Sequence, residues 1–220
     1  FLDNQSPEGR LPIVMASTDR DAHRFPFTAR DRNQAKPVMA QLALLVADQT
    51  GDAEWCRPVF DKLLRFHDSW LTHNQTPSGL LVWSNDVAIG NDNDPTTFAR
   101  PPFSSANLLL NCLYYEDLRA VSELSKRLGR PQAEHDRIVA RMDRLATAIR
   151  RECWDPRDEF FYTVDVQVVD RRAELIPNVE RGMDTSWSTI PLRLQVFTGF
   201  LPLWCGVATK EQAAAMVPRN

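Results

Sequence analysis

The feature that most constrains the fold is an alternation of short and long connections between helix-like segments. Apolar residues recur at helical spacing over residues 36–49 and again over 53–73, and only a Thr-Gly-Asp turn separates the two patterns. A second pair, residues 104–128 and 132–153, is joined by a Gly-Arg-Pro turn. Sequential helix pairs with tight links are typical of αα-hairpins. We therefore predict an all-α fold built as an αα-hairpin array.

Two long connections, residues 74–103 and 155–186, alternate with the short links, so both should lie at one end of the array. Loops of this length in a compact domain are usually functional. A pyranose presents apolar C–H faces, so aromatic side chains at one end of the helices can form a sugar-binding cleft. The alternative is that the aromatic residues pack the loops onto the helices. The residues concerned are Trp83, Phe98, Phe103, Phe160, Phe161, Tyr162 and Trp187.

Shorter elements complete the predicted fold. The β-rich stretch from Phe161 to Val168 predicts a short inserted β-hairpin. Residues 187–206 are apolar but contain Pro191 and Pro202, which predicts a broken or kinked helix. Thr209 and Gln212 form a capping-box pattern for a last short helix.

Composition excludes several classes of partner. The formal net charge is -3, without the basic excess that binding to nucleic acid requires, and no apolar run is long enough for a membrane span. The four cysteines are far apart and predict buried free thiols, and the four histidines show no zinc spacing, so no metal or cofactor is expected. The chain starts at Phe1 without a signal-peptide pattern. We expect the natural N-terminus to be missing and leave the compartment open, with the cytoplasm favoured.

An acidic stretch in the first long connection decides between functions. The sequence SNDVAIGNDNDPTTFARPPFSS occupies residues 84–105 and contains Asn91-Asp92-Asn93-Asp94. These residue types favour a surface turn, because their side chains bond the local backbone. Their oxygens can also bind calcium, although the loop lacks the ligand spacing of an EF-hand. A third interpretation is a general acid, which glycosidic cleavage needs to protonate the leaving oxygen.

The motifs that favour the third interpretation occur along nearly the whole chain. They are W-x-x-D-x-A-I-G-x-D-N-D-P-x-x-x-x-R-P followed by SSA-x-x-x-LNCL-x-Y-x-x-x-x-A at residues 83–120, NQSPEGRLP at 4–12, CWDPRDEFFYTVD at 153–165 and GFLPLWCGVATKEQAAAMV at 199–217. In this order they resemble the mannosylglycerate-hydrolase-like glycoside hydrolases, relatives of glycoside hydrolase family 63.

The resemblance implies an (α/α)6 barrel, or toroid, that hydrolyses an α-glycosidic bond with inversion. It places the general acid in the G-x-D-N motif, at Asp92. Asp94 then only supports the turn, so Asp94→Asn is expected to be mild. Ala88 and Ile89 depart from the relatives, which often have a Glu before the motif glycine, so a substrate contact there is in doubt.

Length indicates that the chain is part of that barrel. Six helical hairpins with long loops need well over 220 residues, whereas about six helices are present. We expect residues 1–220 to be a partial catalytic domain that continues beyond both termini. The resemblance puts the catalytic base in the later part, outside this chain, so the 220 residues alone should be inactive. The remainder of the same domain is then the predicted partner.

Several other residues are candidates for contacts with a carbohydrate substrate. Trp83 can stack on a sugar or anchor the loop in the core, and Asp86 can accept bonds from hydroxyls or belong to a turn. Arg100 can bind substrate, form an ion pair with Asp92 or Asp94, or lie on the surface.

Three further candidates lie at helix entries. Gln34 and Lys36 match a position near the barrel mouth in the family that the chain resembles, although polar residues are common in a first turn. Arg193 follows Pro191 where the second long loop re-enters a helix and can face the cleft. Asn111, on an apolar helix, is expected to be a buried hydrogen-bonding residue.

Two other functions compete with the inverting α-glycosidase. One is a carbohydrate-binding or scaffold module that keeps the fold without catalysis. The other is an (α/α)6 lyase, which needs a Tyr or His base, and Tyr162 has no evident partner for that role.

Overall fold

Four long helices form the framework of the computed structural model, which describes residues 2–14, 33–85, 89–91, 93–167 and 188–217. They are α1 (Met39–Thr50), α2 (Phe60–Asn74), α3 (Leu108–Arg127) and α4 (Gln132–Ala148). Helix α1 ends at Gly51, whose φ of 69° is the left-handed conformation that glycine adopts most easily. The four predicted long helices are present, and the short link between α3 and α4 is confirmed.

The helix boundaries differ from the sequence expectations in three places. The predicted helix over residues 53–73 begins as a separate 3-10 helix (Glu54–Val59) that contains Pro58, and α2 starts only after it. The chain beyond α4 continues as a π-helical turn (Ile149–Cys153). The predicted cap of α3 at Ser104 and Ser105 is wrong, because Ser105 and Ala106 belong to a strand.

The core lies between the helices, with α3 in the middle. Helix α3 packs against α1 on one side and α4 on the other, and α2 contributes the largest aromatic side chains. The fully buried side chains include Phe60, Phe66, Trp70, Leu108, Leu110, Tyr114 and Ile149. Burial of apolar surface at about 25 cal/mol per Å² is what stabilises such an assembly.

Short strands come from the long connections rather than from a single hairpin. They are β1 (Ser105–Ala106), β2 (Trp154–Asp155), β3 (Phe160–Phe161), β4 (Val164–Asp165) and β5 (Ile190–Pro191). The β-rich character of residues 161–167 is confirmed, but the predicted hairpin is misplaced: β3 pairs back onto β2, and β4 pairs with β1 and β5. A second sheet has the order β1-β4-β5, with both pairs antiparallel.

The C-terminal part is only partly the predicted kinked helix. Strand β5 precedes a 3-10 helix (Phe197–Phe200), a short α5 (Leu201–Trp204) and α6 (Lys210–Met216). Trp187, where the kinked helix was expected to start, lies outside the described residues. The capping box at Thr209 and Gln212 is confirmed, with both reciprocal bonds present. All four cysteines are free and buried, as the sequence predicts.

Two surfaces expose apolar side chains. Helix α1 buries Ala40, Ala43 and Ala47 but leaves a row of larger side chains in solvent, Leu42, Leu45 and Val46, at 46–55% exposure. The C-terminal segment exposes a second group, which consists of Leu194, Phe197, Phe200 and Trp204. Large apolar side chains exposed together on one element are typical of surfaces that other protein covers.

Candidate active site

The described parts of the two long connections meet at one end of the helices. Strand β1, at the end of the first connection, pairs with β4 in the second, with Ser105 opposite Asp165 and Ala106 opposite Val164. The N–H of Val166 donates to the Ser104 carbonyl at 2.9 Å, which extends the same pairing. The alternation of link lengths predicts this arrangement, and it is confirmed for the described residues.

Residues 84–103, which we name the acidic loop, turn tightly at the predicted motif. The N–H of Asp94 donates to the Asn91 carbonyl at 3.0 Å, and the N–H groups of Thr97 and Phe98 donate to the Asp94 carbonyl at 3.0 and 2.8 Å. The turn interpretation is therefore correct for this segment. Asp92, the predicted general acid, and Asp86 lie outside the described residues.

The Asp94 side chain is buried at the base of the acidic loop, with 3% exposure. Its Oδ1 accepts bonds from the Thr96 N–H at 2.9 Å and the Thr96 hydroxyl at 2.6 Å, and its Oδ2 accepts one from the Asn107 amide at 3.1 Å. A buried acceptor with three donors is costly to replace. The expectation that Asp94→Asn would be mild is therefore revised.

Asn107 connects the acidic loop to the central helix. It is fully buried and is the N-cap of α3, where its Oδ1 accepts the Leu109 N–H at 2.9 Å. Its Nδ2 donates to Asp94 and to the Thr97 hydroxyl at 3.0 Å. Sequence reasoning missed this residue, although an Asn directly before a leucine run is an ordinary N-cap signal.

Trp83 lies in the core beneath the acidic loop, with 2% exposure. Its ring packs edge-to-face on Trp70, with centroids 5.7 Å apart, and its carbonyl accepts the Phe103 N–H at 3.2 Å. This position matches the core-anchor alternative, and a sugar-stacking role stays a prediction. The indole also contacts a small cleft that Arg100 and Pro101 line.

Arg100 joins the two long connections. Its guanidinium forms an ion pair with Asp165 in β4, and its Nε donates to the Ser105 hydroxyl at 2.9 Å. That hydroxyl in turn donates to the Thr96 carbonyl at 2.9 Å. The structure pairs Arg100 with Asp165 and not with Asp94, which was one of the alternatives, since the carboxyl oxygens of Asp94 are bonded to Thr96 and Asn107. A direct contact with substrate stays a prediction.

Gln34 and Lys36 differ in their surroundings. Gln34 is buried, accepts the Ser69 hydroxyl bond at 2.7 Å and donates to the Asn74 side chain at 3.2 Å. Lys36 is half-buried, and its Nζ lies 2.6 Å from the position that a Cβ would take at Gly90. The lysine head group is thus beside the acidic loop, at a glycine that precedes Asp92 by two positions in sequence.

Arg193 lies near the second connection, where it forms ion pairs with Asp155 at 2.5 Å and Asp158 at 3.4 Å. Burial alone would raise the pKa of Asp155, but the N–H groups of Arg157 and Asp158 and the charge of Arg193 hold that pKa below its ordinary value. Half of the Arg193 side chain remains exposed, so a substrate contact stays a prediction.

Asn111 has the buried hydrogen-bonding role that the sequence predicts. It accepts the Leu81 N–H at 2.8 Å and donates to the carbonyls of Leu81 and Asn107, both at 2.9 Å. Within the described residues, no cluster of three or more His, Cys, Asp or Glu side chains is placed to hold a metal ion. The helices described here include none that is long and apolar enough to cross a membrane.

Comparison with known proteins identifies the family. The sequence profile of the mannosylglycerate hydrolase MGH1-like glycoside hydrolase domain matches residues 1–219. The chain belongs to this family. The acidic loop and its anchor on α3 are therefore features of an MGH1-like glycoside hydrolase domain. A search of curated proteins finds no match.

Solved structures share the fold of this MGH1-like domain. An uncharacterized conserved protein from Thermus thermophilus superposes with a TM-score of 0.72 at 20% identity, over 98% of this chain and 60% of the other. The GH63 mannosylglycerate hydrolase from the same organism, in complex with glucose, gives a TM-score of 0.67 at 22% identity, over 96% and 59%. Its complex with Tris and D-glycerate gives 0.70 at 19%, over 98% and 62%.

The matches cover nearly all of this chain but only part of each solved structure. The chain spans about 60% of the length of the solved structures that it matches. The part of the fold that lies beyond the match in those proteins has no counterpart within the 220 residues.

Proposed function

We propose that the protein containing this chain hydrolyses an α-glycosidic bond with inversion, and that Asp92 is its general acid. The observation that carries the proposal is the match of the glycoside hydrolase family over residues 1–219, which includes the acidic loop. The anchoring of that loop at the end where the second long connection also lies supports it, because loops gathered at one end of a helical array can line a substrate cleft.

The proposed reaction also needs a base, which we place outside this chain. In inverting hydrolysis the acid protonates the leaving oxygen, while a second carboxylate, about 6.5–9.5 Å away, activates a water on the other face of the sugar. We place that base in the remainder of the same domain, which would complete an (α/α)6 barrel. The two exposed apolar surfaces, on α1 and on the C-terminal segment, fit coverage by this remainder.

The substrate class is a small α-glycoside or oligosaccharide, of the α-glucoside or α-mannoside type. The related hydrolase from Thermus thermophilus was crystallised with glucose and with D-glycerate, which suggests testing glycosides of glycerate first. No cofactor enters this proposal, and neither nucleic acid nor a membrane is a proposed partner.

The test uses the complete protein with α-glucosyl and α-mannosyl glycerate, and with the corresponding nitrophenyl α-glycosides. Proton NMR during the first minutes should show release of the β-anomer, because inversion changes the configuration at the anomeric carbon. Initial release of the α-anomer would contradict inversion. Binding of the sugars without any hydrolysis would favour the alternative function, a non-catalytic carbohydrate-binding or scaffold module.

A further inference from the structure

We propose that Asp94 and Asn107 form a positioning pair that sets the geometry of the acidic loop for catalysis. The inference rests on the proposed function, because it assigns Asp94 an effect on the rate of glycoside hydrolysis. Asp94 acts through the loop and does not itself transfer a proton. Three sets of contacts carry the argument.

The first set shows that both carboxyl oxygens of Asp94 accept hydrogen bonds. Its Oδ1 is bonded to the N–H and the hydroxyl of Thr96, and its Oδ2 to Nδ2 of Asn107. The side chain is 3% exposed. A carboxyl group enclosed in this way has no free path to a glycosidic oxygen, which separates its role from that of a general acid.

The second set fixes the direction of the Asn107 amide. Its Oδ1 accepts the Leu109 N–H at 2.9 Å as the N-cap of α3, so the amide cannot rotate by 180° without losing the cap. The Nδ2 group must therefore point to Asp94. The pair has a defined polarity, with the donor on the helix and the acceptor on the loop.

The third set transmits this anchor to the loop backbone. The Asp94 N–H closes the turn onto the Asn91 carbonyl, and its own carbonyl accepts bonds from Thr97 and Phe98. In sequence, Asp92 lies inside the segment that the first of these bonds closes. Since a 1 Å displacement of a reacting group can cost about 10²-fold in rate, the anchor can control catalysis without touching substrate.

The variant Asp94→Asn tests the polarity directly. The new side chain has one oxygen and one NH2 group in place of two carboxylate oxygens. If the NH2 group points to Thr96, it faces the Thr96 N–H, and if it points to Asn107, it faces the Asn107 NH2 group. In either orientation two donors face each other and a hydrogen bond is lost. We expect kcat on a natural glycoside to fall roughly tenfold or more, with KM nearly unchanged. The fall should be smaller on a glycosyl fluoride, which needs little protonation. A merely structural role would lower the melting temperature and leave kcat of the folded protein unchanged.

The matched rescue is the double variant Asp94→Asn with Asn107→Asp. The new carboxylate keeps the cap on the Leu109 N–H and accepts a bond from the new amide, which restores the pair with its polarity reversed. We expect kcat to return to within about threefold of the wild type. Asn107→Asp alone places two carboxyl groups face to face and should be the least stable of the three. Asp136→Asn, exposed on α4 at the far end of the helices, is the neutral control.

The experiment measures kcat and KM of the complete protein well below the lowest melting temperature of the set. Unchanged kcat in Asp94→Asn, or an inactive but folded double variant, would overturn the inference. An inactive but folded double variant would also be expected if Asp94 were itself the general acid. If Asp94→Asn does not fold, an active double variant still supports the pair. A folded wild-type protein without hydrolysis of any α-glycoside would instead refute the proposed function, and the inference with it.

Discussion

Removal of the Asp117 carboxylate should destabilise the fold strongly, because this side chain joins three helices. Asp117 lies on α3 with 0% exposure, and its Oδ1 accepts the Gln41 N–H of α1 at 2.9 Å. Gln41 is in the first turn of α1, where backbone N–H groups have no partner within the helix, and the capping residue Val38 has no side-chain oxygen. The Asp117 Oδ2 lies 3.0 Å from Nε2 of His67 on α2.

The magnitude follows from these contacts. Asp117→Ala leaves the Gln41 N–H without an acceptor, at about 1–3 kcal/mol, and removes the partner of a histidine that is 1% exposed. Together, the two buried groups left without a partner and the lost buried side chain lead us to expect a loss of about 3–5 kcal/mol in the free energy of unfolding. Asp117→Asn keeps an acceptor for Gln41 and should lose about half as much.

Urea unfolding followed by circular dichroism measures this loss. In thermal unfolding of a chain of this size, a loss of about 1 kcal/mol lowers the melting temperature by roughly 2–4 °C. Asp117→Ala should therefore melt about 6–20 °C lower than the wild type. Asp143→Ala, an exposed aspartate on α4, is the control and should stay within about 0.5 kcal/mol of the wild type. A loss below about 1 kcal/mol for Asp117→Ala would refute the idea that this carboxylate holds the helices together.

Three other substitutions test separate parts of the structure. Arg100→Ala removes the link between the two long connections, so amide hydrogen exchange in the acidic loop should accelerate, and unchanged exchange would contradict the link. Gly199→Ala places a Cβ 2.3 Å from the Phe160 ring and 2.6 Å from the Phe161 carbonyl oxygen and should cost about 1–3 kcal/mol, so an unaltered melting temperature would show that both neighbours can move. The pKa of Glu134 is held below its ordinary value by a hydrogen bond from Arg130, so its contribution to stability is present above the ordinary pKa and is lost as the pH falls. The difference in unfolding free energy between the wild type and Glu134→Gln should therefore shrink from about pH 7 to about pH 3, and a constant difference would argue against it.

The helices could be predicted because their signals are local. Apolar spacing and the Gly-containing turns define α1 to α4, and the Thr209 capping box defines α6, without any knowledge of tertiary contacts. The start of α3 shows where local signals compete. Ser104 and Ser105 are good capping residues, but their backbone groups pair with the β4 segment, and Asn107 takes the cap instead.

The anchors of the candidate site could not be predicted, because they join residues that are far apart in sequence. The Arg100 partner, Asp165, is 65 positions away, and the cap of α1 comes from a residue 76 positions away. A single sequence contains no signal for such pairs. Burial was also hard to judge, since Asp94 occurs in a polar stretch but lies in the interior.

The most direct test of the proposed function compares Asp92→Asn with the wild type in the complete protein. The substitution keeps the shape of the side chain and removes the transferable proton. On a glycoside with a poor leaving group, kcat should fall by about 10²-fold or more, while a glycosyl fluoride should lose much less and the melting temperature should change little. If kcat on the natural glycoside stayed within about threefold of the wild type, Asp92 would not be the general acid.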